Sequence, residues 1–259
     1  MRKRPIFGIN ILIFVFLFSG CKWGDKKEGR QSPDLFTDTL SVFIETLPEE
    51  SIEASPEKSK IAQQLSDLGL VDIHTIDPLI VVDLKYATTD NFTGQILYEG
   101  LSEAYFQPDV AVMLSKARKY LQDTLPGANL IIYDAARPLS IQKIIWEKVK
   151  DTPYRHYVAN PERTGMHNYG AAVDLTIIDA NGTPLDMGTP FDHFGRAAGN
   201  REAELVAEGL LTPQHVRNRQ LLRYVMIKAG FRPISGEWWH FNACSFNEAK
   251  KRYNIILID

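Results

Sequence analysis

The chain has 259 residues, 44% of them hydrophobic and 24% charged, with a formal net charge of −3. That length holds one sizeable domain or two small ones, and the composition is that of a globular protein. An acidic chain without a long basic stretch argues against nucleic acid as a partner, because phosphate binding rests on clustered Lys and Arg.

At the N-terminus "MRKR" (1–4) precedes the apolar stretch "IFGINILIFVFLF" (6–18), too short to span a bilayer securely. "SGC" follows and puts Cys21 directly after two small residues, which resembles a bacterial lipobox. Residues 1–20 are therefore expected to be a lipoprotein signal peptide and Cys21 the lipidated residue. The protein would be exported and membrane-anchored, in the periplasm or at the cell surface. A plain signal peptide or a short anchor helix is the alternative. There are two cysteines, so a lipidated Cys21 leaves Cys244 without a disulfide partner in the chain. Cys244 reads as a small buried residue. Residues 21–66 are rich in Lys, Glu, Asp, Ser, Thr and Pro and read as a polar tether.

Residues 67–259 alternate helix and strand signals. "LIVVDLKYA" (79–87) has a strand's β-branched content. "DVAVMLSKARKYLQDTL" (109–125) puts Val110, Leu114, Ala117, Tyr120 and Leu121 on one helical face, and "PG" ends it. "NLIIYDAARP" (129–138) predicts a buried strand, and Ser140 a helix cap for "SIQKIIWEKVK". "AAVDLTIID" (171–179) predicts a strand, "ANGT" its turn and "PLDM" its return. "TPQHVRNRQLLRYVMIKAG" (212–230) has Thr212 at N-cap, Pro213 at N1 and Gly230 past the end. A last strand is expected to hold "EWWHF" (237–241). The fold class read from this order is α+β, a small antiparallel sheet flanked by helices.

Of the six histidines, His74, His156, His193 and His215 have no convincing acid in register. His167 differs. In "MHNYGAAVDLTI" (166–177) it precedes Asp174 by seven residues, and Asp174 lies inside an apolar strand. A buried acid is costly unless paired or metal-bound. Alone it reads as a hydrogen-bond acceptor. With Glu237 and His240 the set becomes two His and a carboxylate, a usual catalytic zinc set with one position open. A second carboxylate beside the reacting water could take its proton. One geometric obstacle stands: three residues apart on a strand, Glu237 and His240 would face opposite ways unless a bulge or strand end intervenes.

These residues resemble the D-alanyl-D-alanine dipeptidases of the vancomycin-resistance type, zinc peptidases related to D,D-carboxypeptidases and the hedgehog signalling domain. His167, Gly170, Ala172 and Asp174 match His-x2-Gly-x-Ala-x-Asp, and Glu237 and His240 match Glu-x-x-His. "YATTDNFTG" (86–94), "YDAARP" (133–138) and "MGTPFD" (187–192) match in order. The resemblance implies one zinc held by His167, Asp174 and His240, with Glu237 as the catalytic base. It also implies Arg137 as the oxyanion partner, and Asp192 and Tyr86 as substrate-binding residues. The implied substrate is D-Ala-D-Ala or a similar dipeptide from peptidoglycan. A carboxypeptidase acting on longer wall peptides and a non-catalytic wall-peptide-binding lipoprotein are the alternatives. Two departures are visible: Gly165 stands where the resistance enzymes carry Ser, and those enzymes act in the cytoplasm.

Overall fold

The computed structural model describes residues 58–258. The expected signal peptide, Cys21 and most of the tether lie outside the described residues. In chain order the elements are α1 (Lys60–Asp67), β1 (Val71–Asp72), β2 (Val81–Val82), β3 (Tyr105–Phe106), α2 (Pro108–Thr124), β4 (Asn129–Asp134), α3 (Leu139–Val149), β5 (Ala172–Ile178), α4 (Glu202–Ala207), α5 (Pro213–Lys228), β6 (Arg232–Pro233), β7 (His240–Asn242) and α6 (Phe246–Arg252).

β5 organises the fold. It is buried along its whole length, and strand alternation sends its residues to two different environments. Val173, Leu175 and Ile177 join Leu130 and Ile132 of β4 in the main core. α2 and α5 cover that core, contributing Val110, Leu114, Ala117 and Leu121 from one and Leu222, Val225 and Met226 from the other. Each buried Val, Leu, Ile or Met side chain contributes about 1.5–3 kcal/mol by leaving water. Asp174 and Thr176 point to the opposite face, where the polar site is built.

The fold is α+β, but the sheet is mixed rather than antiparallel throughout. Its five strands run β2-β4-β5-β7-β6. The β2–β4 pair is parallel and the others antiparallel. The reason is the connection: β2 reaches β4 by a long crossover through β3 and α2, which is the route parallel neighbours need. β1 and β3 form a separate antiparallel pair.

Several local expectations shift. α1, which precedes residue 67, packs on the fold through its fully buried Ala62 and Leu65. "LIVVDLKYA" keeps only Val81–Val82 as strand before a 3₁₀ turn at Lys85–Ala87. Ser140 does not cap α3. Pro138 holds that position, and the Ser140 hydroxyl donates to the Ile258 carbonyl at 2.8 Å. The turn after β5 forms, but its return is a single bridge between Ile178 and Pro184. α5 starts and stops as expected, with the Thr212 hydroxyl accepting from the His215 N–H and Gly230 at φ +104°. Cys244 is free and buried. No helix among the described residues is long and apolar enough to cross a membrane.

Candidate metal centre and active site

Three paired strands set the site's floor. In register across the sheet stand Asp134 of β4, Asp174 of β5 and His240 of β7. His167 arrives from a 3₁₀ turn at Met166–Tyr169 that leads into β5 through Gly170. Only glycine suits that position. Its φ is +63°, and a Cβ there would lie 2.6 Å from Leu70 Cδ2.

His167, Asp174 and His240 converge on one point. His167 Nε2 is 3.1 Å from His240 Nδ1 and 3.3 Å from Asp174 Oδ1, and His240 Nδ1 is 2.9 Å from Asp174 Oδ1. Donors of a tetrahedral zinc, at about 2.0–2.1 Å from the metal, stand roughly 3.3 Å apart. The triangle is therefore close to one face of such a shell. The outer nitrogens settle the tautomers. His167 Nδ1 donates to the Ala135 carbonyl at 2.7 Å, and His240 Nε2 donates to Asn242 Oδ1 at 2.8 Å. Both inner nitrogens are left with lone pairs facing the shared point.

Electrostatics favour a cation there. Burial opposes charge on His167, but the Asp174 carboxylate outweighs it and raises the imidazole's pKa. Burial would likewise raise Asp174, yet His167 and His240 hold its carboxyl well below the usual carboxylate range. The cluster attracts positive charge, whether proton or metal ion.

Arg137 is fixed beside this point. Its guanidinium pairs with Asp134, with Nε donating at 2.9 Å, and Nη1 donates to Gln142 Oε1 at 2.9 Å. Asp134, fully buried, also accepts from the Tyr98 hydroxyl at 2.7 Å. Burial works against the Arg137 charge, but Asp134 together with Tyr86, Tyr98 and Asp174 outweighs it, so the group stays a cation. It stands 3.9 Å from Asp174 Oδ2 and 5.3 Å from the centre of the Tyr86 ring.

A cleft of about 290 Å³ joins these groups to Glu237, Asp192 and Tyr86. The geometric obstacle at "EWWHF" disappears, because only His240 and Phe241 are in the strand. Glu237 lies in the loop between β6 and β7, where strand alternation does not apply. It is not among the converging ligand atoms. Burial pushes its carboxyl up to about 8, a shift that a dication at the cluster would oppose. Burial, then the Asp174 charge, lifts Asp192 to about 8 as well, and Asp192 Oδ2 accepts from the Tyr86 hydroxyl at 2.9 Å. Trp239 is buried in the cleft wall against Phe191, with ring centres 5.5 Å apart. Trp238 is turned away and donates to the Thr189 hydroxyl at 2.9 Å.

The structure thus gathers every residue singled out in the sequence except Cys21, which lies outside the described residues. His156 lines the cleft outside the cluster, and His215 is bound at 3.0 Å to Asp186 elsewhere. Sequence reasoning missed Asn242, Gln142 and the orienting role of Asp134. It also missed an aromatic wall in which Tyr157 stacks on Phe194 at 5.3 Å and Phe92 meets Phe194 at 4.7 Å. Asp134 carried a signal, an acid closing an apolar strand three residues before an arginine. Asn242 carried none.

Two imidazoles and a carboxylate converging in a cleft with a further carboxylate and a fixed guanidinium define a metallohydrolase site. The comparisons with known proteins give the family. A family model described as D-ala-D-ala dipeptidase, of the M15 peptidases, matches residues 66–255, and the chain belongs to that family. The D-alanyl-D-alanine dipeptidase of Escherichia coli K12 is 37% identical over 172 residues, covering 66% of this chain and 83% of that protein. Those of Synechocystis sp. and Enterococcus faecalis are each 28% identical, covering 56% and 61% of this chain and 71% and 83% of their own. The protein is a metallopeptidase of this family.

Proposed function

We propose that the protein is a zinc-dependent dipeptidase that hydrolyses D-Ala-D-Ala or a similar dipeptide derived from peptidoglycan. The observation that carries this reading is that Glu237, Arg137 and Asp192 share one cleft with the His167–Asp174–His240 cluster. His167, Asp174 and His240 would hold the ion through two neutral nitrogens and one carboxylate oxygen. When bound, zinc supplies Lewis acidity towards a peptide carbonyl and towards water. Glu237 takes a proton from the attacking water at its carboxylate and returns it to the leaving amine. Arg137, already fixed by Asp134 and Gln142, donates to the oxyanion without having to reorganise. Asp192 accepts from the substrate's ammonium group, with Tyr86 holding its carboxylate in place. The aromatic wall of Phe92, Tyr157 and Phe194 limits water in the cleft.

A carboxypeptidase for longer wall peptides would need an open amino end. The Asp192–Tyr86 pair in the cleft favours the dipeptidase. Gly165 bears on selectivity, since a Cβ there would lie 2.9 Å from Ala159 Cβ. A serine at this position would require Ala159 to move, so substrate contacts here differ from those implied by the resistance enzymes. A panel of D,D, L,D and L,L dipeptides, assayed with the full-length protein, tests the reading. Fastest turnover of a D,D dipeptide is expected, and preference for L,L substrates would overturn it.

We also propose that the protein is exported and anchored through a lipid on Cys21, supported by the basic and apolar leader ending in "SGC". Its substrates would then be dipeptides released from the wall rather than cytoplasmic precursors. A palmitate analogue should label the wild type and not Cys21→Ala. Equal labelling of both contradicts the anchor.

A further inference from the structure

The catalytic cleft shares Phe92 and Asp192 with a second cavity of about 560 Å³, which is also lined by Thr176, Tyr133 and Trp238. Phe191 and Asp192 stand between the two. Phe191 packs edge-on against Trp239 and, at 6.4 Å, against Tyr86. Asp192 has φ +56°, a left-handed conformation that a non-glycine residue rarely adopts. Such a conformation persists only where its surroundings enforce it.

The segment on both sides of Asp192 is held by α5. Arg219, 1% exposed, points its guanidinium into the back of the segment that carries Phe191 and Asp192. Nε donates to the Met187 carbonyl at 2.7 Å, Nη2 to Ala197 at 2.8 Å and Nη1 to Gly199 at 3.1 Å. Its central carbon lies 6.0 Å from the centre of the Trp238 ring. The neighbouring Glu202 carboxylate is engaged by Arg223. A buried cation satisfied by three backbone carbonyls is a costly device, and here all three belong to one segment, on both sides of Asp192. One residue earlier on α5, Asn218 donates to the Asp186 carbonyl at 2.7 Å. At Gly188 (φ +81°) a Cβ would lie 2.5 Å from Leu211 Cδ2, so the segment is seated directly on this helix and the loop before it.

We propose that Arg219 is a positioning residue that fixes residues 187–199, keeps Phe191 and Asp192 as a partition at the substrate's amino end, and so limits the enzyme to dipeptides. The inference rests on the dipeptidase reading above. If the partition shifts, the part of a peptide upstream of the terminal pair gains access to the second cavity.

The test compares kcat/KM for D-Ala-D-Ala and for tri-D-alanine in the full-length protein, with metal content measured on the same preparations. Arg219→Lys keeps the charge but loses the planar fork that reaches three carbonyls. The tripeptide-to-dipeptide ratio is expected to rise about tenfold or more, with a higher KM for the dipeptide and unchanged metal content. A merely structural role would lower both substrates' rates together and leave the ratio alone. Phe191→Ala thins the partition without touching the clamp and should raise the ratio too. A metal-loaded Arg219→Lys with the wild-type ratio overturns the proposal. If that variant does not fold, an unchanged ratio in Phe191→Ala overturns it instead. Wild-type protein that cleaves the tripeptide as readily as the dipeptide overturns it at once. Absence of any wild-type turnover of D-Ala-D-Ala would sink the underlying reading, whereas turnover with unmoved ratios sinks only the partition.

Discussion

The site has two halves that are held in different ways. Asp174 and His240 stand on paired strands, His167 on the turn before β5, and a neighbour fixes each imidazole: Ala135 for His167 and Asn242 for His240. Glu237 and Asp192 stand on loops, one between β6 and β7 and the other in the segment seated on α5. The electrostatics divide along the same line. Asp174 is held ionised by its two imidazoles, whereas burial lifts Glu237 and Asp192 each to about 8. One half is arranged to keep a cation, and in the proposed reaction the other exchanges protons and meets the substrate's charge. Metal binding and turnover should therefore come apart under mutation.

The largest effect is expected at the strand-borne half. His240→Ala removes one of three donors, so metal and activity should disappear together. Metal analysis decides this, and a variant that still holds one ion per chain would remove His240 from the ligand set. Arg137 sits between the halves. Arg137→Lys keeps a positive charge beside buried Asp134, so a folded, metal-loaded protein is expected. Its kcat should fall by about 10²–10³-fold, the loss typical of an oxyanion donor. Near-normal kcat would leave Arg137 as a structural partner of Asp134. The smallest effect belongs to Asn242→Ala, which removes only the acceptor behind His240. Metal affinity should weaken by about 10–100-fold while kcat of the loaded enzyme stays close to wild type. Competition against a chelator measures it, and unchanged affinity would mean that the bond does not orient the ring.

Much of this was legible in the sequence because the residues involved break a local rule. Asp174 interrupts an apolar strand, and Glu237 and His240 bracket two tryptophans, so each stands out from its neighbours. The capped helix α5 was equally legible, since Thr212, Pro213 and Gly230 act through local backbone chemistry. What was hidden depends on pairing between distant segments. The parallel β2–β4 neighbours follow from a crossover that two-residue strands do not announce. Asn242 is instead a local case, two residues beyond His240 on the same face of β7, where an ordinary polar residue does not announce that it orients a ligand. Arg219 looks like any polar residue on a helix until the carbonyls of Met187, Ala197 and Gly199 are found around it. Glu237 and His240 do not share a strand, because β7 starts at His240. The hairpin loop ends one residue before His240, and that single boundary lets both side chains reach the cleft.

The separation of the two halves is tested most directly by metal occupancy measured beside kcat in Glu237→Gln. The amide keeps the side chain's shape and polarity but cannot accept the water's proton. Because Glu237 lies outside the converging donors, metal content should match the wild type while kcat falls by about 10²–10⁴-fold or more. Metal lost in parallel with activity would put Glu237 in the coordination shell, and turnover near the wild-type rate would mean that the base lies elsewhere.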